Sequence, residues 1–315
     1  MTDTICEVRG LRKAYGSLEV LTGVDFSVGA GEVFALLGPN GAGKTTTVRI
    51  LSTLTQPDGG TATIAGLDVV KDRKSVHRII SLTGQYAALD GMQTGEENLR
   101  MMGRLTGLSR AAARERAHEL LTLFDLAEAG RRRVVTYSGG MRRRLDIAAS
   151  LVGQPALIFL DEPTTGLDPR SRKTMWDTIT ALAADGVTVL LTTQYLEEAD
   201  MLADRIALID HGRIVANGTP AELKRLVGQE RLDVRFGEAE AFTRATSLHS
   251  HVIANREALT VGFATDGTAR HIRELLGTVD PLGTDIETFS LHQPTLDDAF
   301  LALTGQPKGK ETAHV

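Results

Sequence analysis

The hydrophobic pattern predicts a buried strand directly before a glycine-rich turn and a helix directly after it. Residues 32–37 are almost entirely apolar, which is typical of a strand buried on both faces. Residues 45–54 have apolar positions at helical spacing. Three glycines lie in the turn between them, at residues 38–43. We therefore expect this strand–turn–helix unit to be the centre around which the fold is organised.

The same pattern predicts further strands and helices on both sides of this unit. The predicted strands are two within residues 5–28, then 61–66, 79–83, 157–162, 187–193, 205–210 and 213–216. The predicted helices lie within residues 94–129, 138–152, 171–185, 196–202 and 220–227. Buried strands that alternate with helices indicate an α/β fold.

The composition changes after about residue 228. Four strands and three helices are predicted there, and we expect a small α+β domain at 229–305 and a disordered tail at 306–315. Its predicted strands are 231–236, 250–254, 258–264 and 284–291, and its predicted helices are 238–248, 268–277 and 295–303. Residues 1–228 then form the first domain, with a helical subdomain at about 86–155.

Composition narrows the class of protein. The chain has 315 residues, 42% of them hydrophobic, and a net charge of −5, so the overall charge gives no support for nucleic acid as a partner. Its one cysteine, Cys6, excludes an internal disulfide framework and fits a reducing cytosol. The first residues lack the features of a signal peptide, and no apolar run approaches the roughly 18–20 residues of a membrane helix. Another chain would have to supply any membrane part.

The glycine-rich turn has the spacing of a phosphate-binding loop. Glycines remove the Cβ atoms that would keep backbone N–H groups from converging on a polyphosphate. Lys44 is predicted to place a positive charge between the outer phosphates, and the Thr45 hydroxyl to ligate Mg²⁺. The predicted phosphate-binding residues are Gly38, Pro39, Asn40, Gly41, Ala42, Gly43, Lys44, Thr45 and Thr46.

Two carboxylates end an apolar strand later in the chain. Residues 157–160 are apolar and are followed at once by Asp161 and Glu162. A strand buried on both faces does not carry charge without a reason. Asp161 is predicted to support the Mg²⁺ ion from just outside its direct ligands, and Glu162 to be the general base that orients and polarises the attacking water. The alternative is a pair of carboxylates solvated in a loop.

Three further positions could touch a nucleotide. Ser138, Gly139 and Gly140 open a helix, and free N–H groups at a helix start bind anions. Gln85 ends a strand, where it could touch a metal-bound water, and Tyr15 could stack on a purine. The alternative for Ser138 to Gly140 is a capped helix with nothing bound. For Gln85 it is a polar loop residue, and for Tyr15 an ordinary strand tyrosine. The three arginines 142–144 are expected to face solvent or a dimer edge.

With these motifs in this order, the chain resembles the ATP-binding subunit of an ABC transporter over roughly residues 5–228. The resemblance implies adenine stacking for Tyr15, a metal-contacting glutamine loop for Gln85 and a P-loop NTPase fold. It also implies the ABC signature for Ser138 to Gly140 and the loop after the second carboxylate for Leu167 and Asp168. ATP and Mg²⁺ are the implied cofactors. Each ATP would lie between the P-loop of one copy and the signature of another, so a homodimer would complete two sites.

The resemblance is closer to drug-efflux ATPases of the daunorubicin-resistance type. The matching segments are residues 83–86, 192–200 and 294–301. In that type the ATPase serves a separately encoded membrane permease. The resemblance thus implies a subunit at the cytoplasmic face of the cell membrane that powers efflux of a hydrophobic drug or lipid-like compound. Residues 85–126 would hold the contact with the permease.

Two residues depart from the usual ABC pattern. Gln194 stands where most ABC ATPases have histidine, and Met141 stands where a glutamine is usual. Glutamine can donate a hydrogen bond to the γ-phosphate but cannot carry an imidazolium charge. The implied catalytic residues are therefore Glu162, Lys44 and Gln194. The alternatives are an ATP-binding sensor that hydrolyses little, and a soluble ABC protein of DNA repair or translation.

Overall fold

The computed structural model describes residues 3–84, 89–227, 230–248 and 252–304. The chain divides into two compact units, Met1–Pro220 and Ala221–Val315. Gln85 and the predicted tail at 306–315 lie outside the described residues.

Ten strands are described in the first unit. They are β1 (Thr4–Tyr15), β2 (Leu18–Gly29), β3 (Val33–Leu37), β4 (Gly59–Ile64), β5 (Leu67–Asp68), β6 (Ile80–Thr83), β7 (Leu157–Asp161), β8 (Thr188–Thr193), β9 (Arg205–Asp210) and β10 (Arg213–Gly218). The helices that begin in this unit are α1 (Lys44–Leu51), α2 (Arg73–Ile79), α3 (Gly95–Leu105), α4 (Arg110–Leu123), α5 (Gly139–Ser150), α6 (Pro169–Ala184), α7 (Leu196–Leu202) and α8 (Pro220–Arg225).

A six-stranded sheet forms the centre of the first unit, in the order β10-β9-β3-β8-β7-β6. Strands β9, β3, β8, β7 and β6 run parallel, and β10 is an antiparallel edge strand. All residues of β3, β7 and β8 are buried, as expected for parallel strands covered on both faces. Since parallel strands end at the same edge of a sheet, the residues that follow β3, β7 and β8 lie close together.

An antiparallel sheet in the order β2-β1-β4-β5 packs beside the central sheet. The two sheets share one hydrophobic core, in which the rings of Phe26 and Phe34 stack with their centroids 5.1 Å apart. Phe26 comes from β2 and Phe34 from β3. This core fixes the strand that leads into the glycine-rich loop.

Helices α3, α4 and α5 form a helical layer between β6 and β7 in the chain. Each begins at a hydroxyl cap: Thr94, Ser109 and Ser138 accept hydrogen bonds from backbone N–H groups of the first turn. Helix α5 packs on α3, α4, α6 and β6. The N-terminus of α5, where the Ser-Gly-Gly sequence lies, is therefore held by contacts along the rest of the helix.

The second unit is a four-stranded antiparallel sheet with helices, an α+β arrangement. Its described strands are β11 (Glu230–Phe236), β12 (Val252–Asn255), β13 (Thr260–Thr265) and β14 (Ile286–His292), in the order β12-β13-β11-β14. Its remaining helices are α9 (Ala239–Leu248), α10 (Ala269–Val279) and α11 (Leu296–Leu303). Leu232, Val234 and Phe263 are central to its core.

The predicted fold class is confirmed, with small shifts in the ends of elements. Helix α1 begins at Lys44 and ends at Leu51, where the prediction was 45–54. Helix α2 and the two-residue strand β5 were not predicted. Every helix within the described residues is too short or too polar to cross a lipid bilayer.

Candidate nucleotide-binding and hydrolysis site

The glycines of the loop after β3 lie where a side chain would collide. A Cβ atom at Gly38 would lie 2.2 Å from the carbonyl oxygen of Ile209, and one at Gly43 would lie 2.5 Å from Leu21 Cδ2. Gly43 also has a φ of 110° and Gly41 a φ of 83°, in the region that favours glycine. The loop can therefore take this shape only with glycine at Gly38 and Gly43.

Lys44 begins α1 and is buried, with 5% of its side chain exposed. Its Nζ donates hydrogen bonds to the carbonyl oxygens of Gly38 (2.8 Å) and Pro39 (3.1 Å). Burial lowers the pKa of Lys44, and the neighbouring carboxylates of Glu162 and Asp161 oppose that effect. The loop thus holds a lysine ammonium group at its centre, where a phosphate could reach it.

Thr45 and Asp161 meet between α1 and β7. Thr45 Oγ1 lies 3.5 Å from Asp161 Oδ2, and Asp161 Oδ1 accepts a 2.5 Å hydrogen bond from Thr192 Oγ1. A hydroxyl and a carboxylate oxygen that converge in this way fit Mg²⁺, which prefers oxygen ligands and usually takes the rest from phosphates and water. Thr192 fixes the orientation of the carboxylate.

Glu162 follows β7 with an unusual backbone conformation. Its φ is 47°, in the left-handed region that costs a residue with a Cβ about 1 kcal/mol or more. Its N–H donates to the carbonyl oxygen of Thr192 (3.1 Å) and to Thr192 Oγ1 (3.2 Å). The carboxylate lies 3.9 Å from Lys44 Nζ and accepts a 3.3 Å bond from Thr165 Oγ1. The kink directs the side chain toward the lysine of the loop.

The Ser-Gly-Gly sequence opens α5, as predicted for a capped helix. Ser138 Oγ accepts a 3.2 Å hydrogen bond from the N–H of Met141, and both Ser138 and Gly139 are exposed. Gly140 packs on α6, where an added Cβ would lie 2.7 Å from Ser171 Oγ. The exposed helix start is available to a ligand from outside this copy of the chain.

The remaining predicted site residues lie around this centre. Tyr15 is half exposed at the end of β1, with Lys13 Nζ 5.5 Å from its ring centroid. Gln194 follows β8 directly and is half-buried. Asp168 caps α6 by accepting bonds from Ser171 N (3.0 Å) and Ser171 Oγ (2.6 Å), and these bonds lower its pKa. Of these, the structure places Gln194 at the same sheet edge as Lys44, because β8 neighbours β3.

The prediction that arginines 142–144 face solvent or a dimer edge is wrong for two of them. The side chains of Arg143 and Arg144 are only 12% and 15% exposed. Arg144 donates to the carbonyl oxygen of Phe124 (2.9 Å), and Arg143 donates to three carbonyl oxygens near the site. Backbone carbonyls can accept the guanidinium donors, which makes burial possible. One sequence feature could have indicated that Arg143 is buried: Asp146 lies within an apolar run, three residues after Arg143.

A buried carboxylate, Glu198, was also missed. It lies on α7, is 1% exposed, and accepts hydrogen bonds from Thr164 Oγ1 (2.7 Å) and Trp176 Nε1 (3.3 Å). Burial raises the pKa of Glu198, and Arg172 among its neighbours opposes that effect. Thr164 comes two residues after Glu162, so this cluster ties the loop beyond β7 to α6 and α7.

These elements define a class of protein. A glycine loop and helix α1 stand opposite two carboxylates at the carboxyl edge of a mostly parallel sheet, which is the arrangement of a P-loop nucleoside triphosphatase.

Comparison with known proteins narrows the class to one family. The ABC transporter family model matches residues 21–165. The chain is 52% identical over 309 residues to the daunorubicin/doxorubicin resistance ATP-binding protein DrrA of Streptomyces peucetius, covering 96% of this chain and 92% of that protein. It is 40% identical over 311 residues to the Nod factor export ATP-binding protein I of Ralstonia nicotianae, covering 96% and 94%. The chain therefore belongs to the ATP-binding subunits of ABC transporters.

Solved structures agree with this membership. The structure of an ATP-binding subunit of an ABC transporter matches 70% of this chain and 92% of its own, with a TM-score of 0.63 and 31% identity. A dimeric post-hydrolysis state of an ATP-binding cassette bound to ADP and Pi matches 68% and 98%, with a TM-score of 0.61 and 25% identity. The predicted ATP binding and ATPase activity are confirmed by the family, whose ATP-binding subunits dimerise and work with membrane permeases.

Proposed function

We propose that this chain hydrolyses ATP to drive export of a hydrophobic drug or lipid-like compound through a separate membrane permease. The observation that carries the hydrolytic part is the meeting of Lys44, Thr45, Asp161 and Glu162 at one edge of the sheet. The cargo class is supported by the relatives, one of which is named for resistance to daunorubicin and doxorubicin.

We assign a task to each of these residues from its chemical type and its position. The N–H groups of residues 38–46 and the Lys44 ammonium bind the phosphates of ATP. Thr45 and Asp161 would hold Mg²⁺, which neutralises charge on the outer phosphates. Glu162, which the kink at its backbone directs toward the loop, accepts a proton from the attacking water. Gln194 would donate a hydrogen bond toward the γ-phosphate and Tyr15 would stack on adenine. Gln85, which lies outside the described residues, would contact a water on the Mg²⁺ ion.

Two copies of the chain complete two ATP sites. The exposed start of α5, Ser138 to Gly140, supplies N–H groups and a hydroxyl to ATP held by the P-loop of the other copy. Asp168 acts at the same boundary by fixing the loop before α6. The dimeric ADP-and-Pi state of a related cassette supports this arrangement. The permease places the dimer at the cytoplasmic face of the membrane.

Gln194 favours a second candidate function, an ATP sensor with little hydrolysis. A glutamine lacks the charge that a histidine can carry at this position. The substitution Gln194→His separates the two functions. A large gain in turnover would support the sensor, whereas equal or lower turnover would support the transport ATPase.

The substitution Glu162→Gln tests the transport ATPase. The amide keeps the size of the side chain but cannot accept the proton from water, so we expect turnover to fall by about 100-fold or more. ATP binding should be retained. The measurement is phosphate release and ATP affinity of the full chain, with and without its permease in lipid vesicles.

Glu197→Gln, on the exposed side of α7, is the matched control and should hydrolyse ATP like the wild type. Turnover in the Glu162→Gln variant equal to the wild type would contradict the general-base assignment. Turnover that the permease does not change would contradict coupling to transport.

A further inference from the structure

Arg143 lies on the second turn of α5 and bonds three backbone carbonyl oxygens on two other segments. Its Nε donates to the carbonyl oxygen of Pro163 (3.1 Å), and its Nη2 donates to the carbonyl oxygen of Asp161 (3.1 Å). Its Nη1 donates to the carbonyl oxygen of Gly84 (2.7 Å) and to Asp146 Oδ2 (3.3 Å). One guanidinium group therefore joins α5 to the ends of β6 and β7.

Two of these carbonyls stand on either side of Glu162. Its backbone is in the left-handed region, a conformation that persists only where neighbouring contacts hold it. Thr192 holds the N–H of the Asp161–Glu162 peptide, and Arg143 holds the carbonyl oxygen of that peptide and the carbonyl oxygen of Pro163, one residue further on. The N–H of Thr165 also donates to the carbonyl oxygen of Glu162 (3.3 Å). Loss of Arg143 would remove the bonds to the carbonyls of Asp161 and Pro163, which flank this residue, and the kink could relax.

The third carbonyl belongs to the residue directly before Gln85. Gly84 is the last described residue of that segment, and Arg143 holds its oxygen at the shortest of the four distances. Helix α5 itself begins at the exposed Ser-Gly-Gly sequence, five residues before Arg143. A movement of α5 relative to the sheet therefore displaces the group that fixes Glu162.

The chemistry of the group explains why arginine stands here. The side chain is 12% exposed, and burial lowers its pKa, while Asp146, Asp161 and Glu198 oppose that effect. A guanidinium has five donors in a rigid plane, so it can bond several fixed acceptors at once. A lysine ammonium is a compact point charge on a flexible stem and cannot bond all three carbonyl oxygens in this geometry.

We propose that Arg143 is a positioning residue for ATP hydrolysis, which makes the orientation of Glu162 depend on the position of α5. The inference rests on the proposed function. It assigns to the arginine no contact with the nucleotide. Its loss should therefore change the rate of the chemical step and leave ATP binding as it is.

The test compares Arg143→Ala, Arg143→Lys and Arg142→Ala in the full chain with its permease. We expect kcat of Arg143→Ala to fall about 10- to 100-fold with KM for ATP unchanged, because small misplacement of a catalytic group costs that much. Arg143→Lys should recover part of kcat. Arg142 is exposed on the same helix, so Arg142→Ala should match the wild type.

A second readout does not depend on hydrolysis. Amide hydrogen exchange at residues 161–166 should become faster in Arg143→Ala and stay unchanged in Arg142→Ala. Wild-type kcat or wild-type exchange in Arg143→Ala would overturn the inference, as would a rise in KM that accounts for the whole effect. If Arg143→Ala does not fold, Arg143→Lys carries the test, and wild-type kcat in that variant would overturn the inference. Absence of Glu162-dependent turnover in the wild type would instead overturn the proposed function.

Discussion

Glu198 is a carboxylate buried against hydrogen-bond donors, and this burial links the stability of the fold to pH. Its pKa is raised above 4.5 in the folded chain, so the folded state keeps a proton that the unfolded state loses. The free energy of unfolding therefore falls as pH rises from 4.5 through the raised pKa.

The substitution Glu198→Gln removes this proton and keeps an acceptor oxygen for Thr164 and Trp176. We expect the variant to gain stability relative to the wild type as pH rises through that window, by at most about 1.4 kcal/mol per pH unit. Denaturant unfolding from pH 4.5 to 8 measures the difference. Glu197→Gln on the same helix is the matched control. A Glu198→Gln difference that does not change with pH would contradict the argument.

At the scale of residues, the sequence predicted the site residues whose type and spacing form a recognisable local pattern. Lys44, Thr45, Asp161 and Glu162 were found because a P-loop and a strand that ends in carboxylates are local patterns, and the structure brings these residues together. Their roles stay predictions. The carbonyl acceptors of Arg143 could not be found in this way, because two of them lie 20 and 59 residues away in the chain, and only the nearby Asp146 indicated its burial.

Strands and helices were predicted best where the chain is buried on both faces or strongly periodic. Strand β9 and helix α7 begin and end where the hydrophobic pattern places them, and β7 begins as predicted but ends one residue earlier, at Asp161. Helix α2 was missed because only Val76 within it is buried, so the segment has no apolar stripe. Ends differed by a few residues where caps decide them, as at Asp168 before α6.

The caps of α3 and α5 allow stability to be separated from function. Thr94 and Ser138 each accept a hydrogen bond from the first turn of their helix, at 3.1 Å and 3.2 Å. Replacing either by alanine should lower the free energy of unfolding by about 0.5–2 kcal/mol. Only Ser138→Ala should also lower ATP turnover, because Ser138 is proposed to meet ATP.

Thermal unfolding and phosphate release of both variants measure the two effects, and Thr94→Ala serves as the control for a weakened helix start. Equal loss of turnover in the two variants would show that Ser138 acts only as a cap.

At the scale of the molecule, the order of strands decides which residues meet. The pattern along the chain predicted β3, β7 and β8 but not that β8 lies between the other two. That order depends on long-range packing, which a single sequence does not display. The second unit shows the same limit: its strands were predicted, whereas the pairing of β11 with both β13 and β14 was not.

A mixing experiment tests whether two copies share each ATP site. Lys44→Ala removes the phosphate-binding charge, and Ser138→Arg blocks the exposed start of α5, so each variant alone should be inactive. A dimer with one copy of each keeps one intact site, formed by Lys44 of one protomer and Ser138 of the other. We expect a mixture to regain part of the wild-type turnover, measured as phosphate release. A mixture as inactive as its components would contradict shared sites.

The cluster around Glu198 contains an intrinsic fluorescent probe. The chain has one tryptophan, Trp176, and its indole N–H donates directly to the Glu198 carboxylate. Indole emission follows the polarity around the ring, and Thr164, on the loop after Glu162, bonds the same carboxylate oxygen. The intrinsic fluorescence of Trp176 therefore reports on a single place in the molecule, next to the loop that follows the general base. It can be measured without an added dye.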